Sequence, residues 1–192
     1  MNYFMFLAVY VAASVASQFL TSTPLHLFDI GSVPIWLPLS AVTLVPLVDV
    51  LRSFTQNQAE KEGRHFKTVA SQMMTLTLAV AGLCVIFLGL PLPIFMGVLL
   101  AVTFGGLADV LVFKRMGRYF TSPVKRMMFS NAAATLLGSG IVFLVAFTDV
   151  VFAGNPLAVP YMNAVVGWLT QSTFIWASSI AIAFGLNHLM HK

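Results

Sequence analysis

Two aspartates stand inside apolar stretches of this chain, where an ionised side chain is unfavourable. Asp109 lies in FGGLADVLVFKR (residues 104–115), and Asp49 lies in LVDVLR. An acid in the middle of a membrane costs about 2.5–3.5 kcal/mol on insertion scales. In a helix Asp49 has Arg52 one turn further on, which favours a local ion pair. Asp109 has only apolar residues at the matching positions, so its cation must come from another helix, with Arg52 and Arg126 as candidates.

The acids and the nearby arginines suggest two kinds of role. We expect Asp49 to form a structural ion pair at the edge of the membrane. For Asp109 two interpretations remain open: a structural pair between helices, or a part in gating or proton coupling. The candidate residues for a gating or charge pair are Asp49, Arg52, Asp109 and Arg115.

Uncharged polar and aromatic residues form a second candidate group. Amides inside lipid must find partners or face a cavity, and tryptophan offers a flat apolar face. Such a set suits a planar, neutral ligand that forms hydrogen bonds. The alternative is that these residues join helices and form an aromatic belt at the membrane surface. The candidates for substrate binding are Gln18, Trp36, Ser40, Trp168, Gln171 and Ser172.

Catalytic and metal-binding patterns are not found in the sequence. The four histidines lie in loops or near the last helix end, and the single cysteine has no partner at metal-ligand spacing. No phosphate-binding loop, dinucleotide fingerprint or nucleophile–base motif is present. We therefore expect no enzyme activity, no metal and no cofactor.

The composition places the chain in a membrane. Hydrophobic residues make up 59% of it and charged residues 8%, whereas soluble domains contain about 25% charged residues. A spanning helix needs about 20 mostly apolar residues. We predict a single all-α domain over residues 1–192 with six transmembrane helices, at about 3–20, 33–51, 69–90, 93–113, 127–151 and 163–189.

The basic residues predict the orientation of these helices. All ten Lys and Arg residues fall between the second and third spans, between the fourth and fifth, or at the C-terminus. Because positive residues stay inside, both termini are expected to be cytoplasmic, in a multi-pass protein of the cell inner (plasma) membrane. The basic loops would contact anionic lipid, and no nucleic-acid partner is expected.

The motif around Asp109 resembles the VUT family of six-helix vitamin-uptake or queuosine-precursor transporters. The fourth helix of that family carries a Gly, then Asp-Val-x-Val-Phe, then a basic residue. Weaker resemblances are found in SQFLTSTP, VDVLR and SNAAATLLGSGIVFLVAF. The residues that match the fourth-helix motif are Gly105, Asp109, Val110, Val112, Phe113 and Arg115.

The resemblance implies import of a 7-deazaguanine-type precursor of queuosine, such as preQ0 or preQ1, without an ATPase domain on the same chain. The chain departs from the family in two helices. Thr135 and Gly138 stand where helix five of the family has Asn and Asp, and Gln171 or Ser172 stands where helix six often has Lys. An acid and a base are thus absent together, as expected if they formed a pair.

Two alternatives to a self-sufficient transporter remain at this point. One is a substrate-binding membrane subunit of a multi-component vitamin uptake system, which needs a separate energising subunit. The small residues Ala134, Gly138 and Gly140 predict close helix packing and would suit such docking. The other is a structural membrane protein that transports nothing. A homo-oligomer is compatible with each of these.

Overall fold

Helices make up most of the part of the chain that the structure describes. The computed structural model describes residues 2–20, 24–30, 33–89 and 91–190. A two-stranded hairpin follows the first helix, and the rest of the described chain is helices and their connections. The elements are α1 (Tyr3–Phe19), β1 (Pro24–Ile30), β2 (Val33–Pro38), α2 (Leu39–Val42), α3 (Leu44–Lys61), α4 (Phe66–Leu88), α5 (Leu92–Met116), α6 (Pro123–Ala146) and α7 (Tyr161–Met190).

Three of the described helices are long and apolar enough to cross a membrane: α5, α6 and α7 over Tyr161–His188. Helix α1 is also apolar over Tyr3–Ser17 but is shorter. Large apolar side chains such as Ile86, Phe87 and Leu111 are exposed on the outer faces of the helices. Apolar surface of this extent is typical of a protein that faces lipid. The chain is therefore a helical membrane protein.

The second predicted span differs from the observed structure. A helix was expected from residue 33, but Val33–Pro38 forms a strand that pairs antiparallel with Pro24–Ile30. Pro34 and Pro38 explain the difference, because proline donates no backbone hydrogen bond and keeps the residue before it out of the helical region. Helix begins directly after Pro38 with the short α2, is interrupted at Thr43 and resumes in α3, which ends at Lys61, well beyond the predicted end at residue 51.

Small residues bring α5 and α6 into close contact. A Cβ atom added at Gly105 would lie 3.1 Å from the carbonyl oxygen of Ala134 and 3.2 Å from Cα of Gly138. One at Gly140 would lie 3.1 Å from Nε1 of Trp168 on α7. The small residues of α6 thus pack inside the bundle, against α5 and α7. The face that the sequence offered for docking a separate subunit is covered by the chain itself.

The bundle has two different ends. At the end we call the hairpin end, Leu37 of β2 packs against Phe143 and Ala164, where α6 ends and α7 begins. The opposite end of the bundle, which we call the charged end, contains the last turn of α5 and the first turn of α6. Arg52 and Arg126 lie there. Arg126 of α6 pairs there with Glu60 of α3 at 2.7 Å.

Candidate functional site

A buried group of charges joins α3 to α5. Nε of Arg52 donates a hydrogen bond of 2.8 Å to Oδ2 of Asp109, and Nη2 of Arg52 donates one of 2.8 Å to Oδ1 of Asp49. The side chain of Asp109 is 0% exposed. Arg52 is therefore the cation that Asp109 requires from another helix. We call Asp49, Arg52 and Asp109, together with Gln56, the ion cluster.

Helix periodicity explains how α3 supplies three members of the ion cluster. Asp49, Arg52 and Gln56 are spaced by three and four residues, which places them on one face of the helix. Nε2 of Gln56 donates a 3.0 Å hydrogen bond to the same Asp109 oxygen that Arg52 contacts. Gln56 was not among the predicted residues, although its spacing of four from Arg52 places it on the same helix face.

The ion cluster contains two acids and one base. With both acids ionised, two carboxylates face one guanidinium, which leaves one negative charge in excess. In the described part of the chain, neither carboxylate has a second cation within ion-pair distance. Arg126, the other candidate partner of Asp109, pairs with Glu60 instead, and its Nε donates to the Phe113 carbonyl. A buried excess charge is unfavourable unless something compensates it.

The ion cluster forms one end of a cavity inside the bundle. The cavity has a volume of about 210 Å³, and Asp49 and Arg52 belong to its wall. Most of the wall is apolar, with residues such as Val102 and Ile175. Its volume is below the roughly 300–1,000 Å³ typical of sites for drug-sized molecules. The cavity therefore suits a compact ligand.

Uncharged polar groups line the cavity further toward the hairpin end. We call Ser40, Ser139 and Gln171 the polar end of the cavity. Nε2 of Gln171 donates a 3.3 Å hydrogen bond to Oγ of Ser139. Oε1 of Gln171 is buried and has no hydrogen-bond partner among the described residues. Within the described part of the chain, the polar end thus contains a hydrogen-bond acceptor that receives no donor.

A second polar network fixes the helices around the ion cluster. Oγ of Ser53 donates to Oδ1 of Asn131 at 3.4 Å, and Nδ2 of Asn131 donates to Oγ of Ser179 at 3.2 Å. These contacts join α3, α6 and α7. Asn131 is 0% exposed and belongs to the same level of the bundle as Arg52, the neighbour of Ser53 in sequence. Eight residues separate it from Ser139, or about 12 Å along a helix axis.

Two of the predicted substrate-binding residues lie in the cavity wall, namely Ser40 and Gln171. Ser172 lies outside it, and its hydroxyl donates to the carbonyl oxygen of Trp168 at 2.8 Å. The side chains of Gln18 and Trp36 lie outside the part that the structure describes.

Trp168 and Arg115 are not brought to the cavity. Nε1 of Trp168 donates a 2.8 Å hydrogen bond to the Leu136 carbonyl, and the ring lines a separate apolar groove between α6 and α7. Arg115 is exposed, and no ion pair to another described residue involves it. In this arrangement Trp168 does not line the cavity with Gln171, and Arg115 forms no ion pair with Asp109, so the roles predicted for these two residues stay predictions.

Neither histidine nor cysteine is among the described residues that line the cavity. The chain matches no protein-family model, and neither a curated protein nor a solved structure matches it.

Proposed function

We propose that the protein is a six-helix membrane transporter that imports a small, planar, purine-like compound. A queuosine precursor of the 7-deazaguanine type is the leading candidate. The observation that carries this proposal is the cavity of about 210 Å³, which has charged groups at one end and uncharged hydrogen-bonding groups at the other. The resemblance of the Asp109 motif to the VUT family agrees with it.

The membrane arrangement forms part of the same proposal. Helices α1, α3, α4, α5, α6 and α7 would be the six spans, with the short α2 extending the second of them. The basic residues between α3 and α4 and between α5 and α6 would lie in the cytoplasm of a cell with this protein in its inner membrane. The hairpin end would then face outward, and substrate would reach Gln171 before it reaches Asp49.

The ion cluster is suited to control opening of the cavity. The Arg52–Asp49 pair is contained in α3, whereas the Arg52–Asp109 pair joins α3 to α5. A movement of α3 relative to α5 would break the second pair and keep the first. Arg52 would therefore keep one carboxylate partner in each conformation of the protein without substrate, which limits the cost of exposing its charge.

The binding-subunit alternative is not favoured by the packing. Its support was the small-residue face of α6, which α5 and α7 cover. The non-transporting alternative does not account for a cavity whose wall includes a buried ion pair and the unpartnered oxygen of Gln171. We therefore propose a transporter that works without a separate energising subunit.

Uptake measurements test the proposal directly. Radiolabelled 7-cyano- and 7-aminomethyl-7-deazaguanine would be supplied to cells that lack their own transporter and their own synthesis of these compounds. We expect uptake in cells with the wild-type protein and a loss of uptake with Gln171→Ala or Gln18→Ala. Ser172→Ala is the matched control, because its hydroxyl lies outside the cavity wall. Absence of uptake with the wild-type protein present in the membrane would contradict the proposal.

A further inference from the structure

We infer that the substrate carries one positive charge, on an ammonium group that binds Asp49 at the charged end of the cavity. This inference rests on the proposed function only in taking the cavity as the substrate site. It adds the charge of the substrate and the residue that recognises it. The charge count and the hydrogen-bond inventory of the cavity support it separately.

With both acids ionised, the ion cluster could be neutralised by one additional cation. Asp49 and Asp109 together outnumber Arg52 by one negative charge, and Arg126 is occupied by Glu60. Of the two acids, Asp49 belongs to the cavity wall, whereas Asp109 lies behind it. A cation inside the cavity would therefore meet Asp49 and balance the ion cluster.

The hydrogen-bonding atoms of the described residues also favour a ligand that donates hydrogen bonds. Among the described residues, three buried side-chain atoms lack a hydrogen-bond partner, and all three are acceptor oxygens: Oδ1 of Asp109, Oε1 of Gln56 and Oε1 of Gln171. An ammonium group has three donors and no acceptor. A ring N–H at the other end of the ligand would supply the donor that Gln171 lacks. Of these three atoms, only Oε1 of Gln171 belongs to a residue of the cavity wall, whereas Asp109 and Gln56 lie behind it, so the unpartnered acceptor that a ligand can reach lies at the polar end.

Binding of an ammonium group would also change the ion cluster. Arg52 is now shared between Asp49 and Asp109. A cation on Asp49 would compete for that carboxylate and leave Arg52 to Asp109, so the pair between α3 and α5 would strengthen. A neutral analogue would leave Arg52 shared. The substrate's charge is therefore coupled to the pair that we propose for gating.

The spacing of the two ends limits the ligand. Ser139 of the polar end lies about 12 Å along α6 from Asn131, which contacts Ser53 beside Arg52 but does not itself line the cavity. A compact ring with an ammonium group on one side and donor N–H groups on the other fits this arrangement. Compounds with a carboxylate or phosphate would add negative charge beside Asp49 and are expected to be rejected.

Binding measurements with matched pairs of compounds test the inference. Purified protein in detergent would be titrated calorimetrically with benzylamine and benzyl alcohol, and with 7-aminomethyl- and 7-cyano-7-deazaguanine. We expect the ammonium compound of at least one pair to bind about tenfold more tightly than its neutral partner. Asp49→Asn should remove the difference. Asp29→Asn, which neutralises an exposed acid paired with His26, should keep it.

Each outcome separates the charge of the substrate from its ring system. Equal binding within every pair, or no binding by any compound, would overturn the inference. If the two deazaguanines bind equally and benzylamine binds no better than benzyl alcohol, the inferred positive charge is wrong. The proposed purine-like substrate is then still supported. A benzylamine preference without deazaguanine binding would support the charge and contradict the purine-like substrate. If Asp49→Asn fails to fold, as judged by its thermal unfolding, the wild-type comparison still decides the sign of the charge.

Discussion

The two ends of the cavity are stabilised in different ways. At the charged end, Arg52 forms two 2.8 Å hydrogen bonds to carboxylates, and removal of one partner would leave a buried charge. At the polar end, Gln171 forms one 3.3 Å hydrogen bond and keeps an unpartnered oxygen. Loss of a buried ion-pair partner is far more costly than loss of a neutral hydrogen bond. We therefore expect the loss of a side chain at the charged end to cost more stability than the loss of one at the polar end, where Gln171 keeps an unused acceptor.

Arg52→Met should have the largest effect. It leaves Asp49 and Asp109 facing each other without a cation, and loss of one partner of a buried pair costs about 3–5 kcal/mol. We expect a large fall in the thermal unfolding temperature of the purified protein in detergent. Arg115→Met is the matched control, because Arg115 is exposed. Equal unfolding temperatures for the two variants would contradict a stabilising role for the ion cluster.

Asp109→Asn should separate transport from folding. The variant keeps the shape of the side chain and leaves Arg52 paired with Asp49, so it should unfold at a temperature well above that of Arg52→Met. Without a carboxylate on α5, however, the pair between α3 and α5 is lost. We expect uptake to fall to about a tenth of the wild-type rate or less, the equivalent of about 1.4 kcal/mol.

The gating role of Asp109 is decided by the same measurement. Uptake would be followed across a range of pH, because Asp49, Tyr10 and Arg52 also belong to this end of the cavity. If Asp109→Asn transports normally at every pH tested, Asp109 has a structural role only.

Gly105→Ala tests the packing that positions Asp109 one helical turn further on. The new methyl group would meet backbone atoms of α6 at 3.1 and 3.2 Å, and backbone cannot move aside as easily as a side chain. Overpacking of this kind costs about 1–3 kcal/mol. Gly106→Ala is the control, because nothing lies within 4 Å of the added atom. In chemical denaturation, the free energy of unfolding should be lower for Gly105→Ala than for Gly106→Ala. The reverse order would contradict the close α5–α6 contact.

The positions of the long helices were largely accessible from the sequence. Apolar runs and clustered basic residues located α1, α4, α5, α6 and α7 to within a few residues. The need of Asp109 for a cation from another helix followed from its own apolar neighbours, with Arg52 among the candidates. These features depend on local composition and spacing, which a single sequence displays.

The remaining features depend on information that hydropathy does not contain. The strand at Val33–Pro38 is as apolar as a helix, and only its prolines distinguish it. Gln56 lies beyond residue 51, where the second span was predicted to end. The direction of Trp168 depends on how α7 is rotated against α6, which is determined by packing at Gly140. Hydrophobic pattern thus predicted the helices but not which polar side chains share a cavity.

Gln171→Leu should change binding more than stability. The substitution removes one long hydrogen bond and an unpartnered oxygen, so the free energy of unfolding should change by about 1 kcal/mol or less. Because the amide belongs to the cavity wall, we expect the KM for uptake to rise about tenfold. Ser172→Ala should leave the KM unchanged. A fall in stability as large as that of Arg52→Met would contradict the division between the two ends.

Trp168→Phe should have the smallest effect and tests whether the polar end extends beyond Gln171. The phenyl ring keeps most of the apolar contact with Gly140 but loses the hydrogen bond to the Leu136 carbonyl, which is worth about 0.5–1.5 kcal/mol. Since the ring lines the groove outside the cavity, uptake should keep its wild-type KM while the unfolding temperature falls slightly. A raised KM with unchanged stability would instead assign Trp168 to the substrate, as the sequence predicted, and would require a conformation in which its ring turns from the groove toward Gln171.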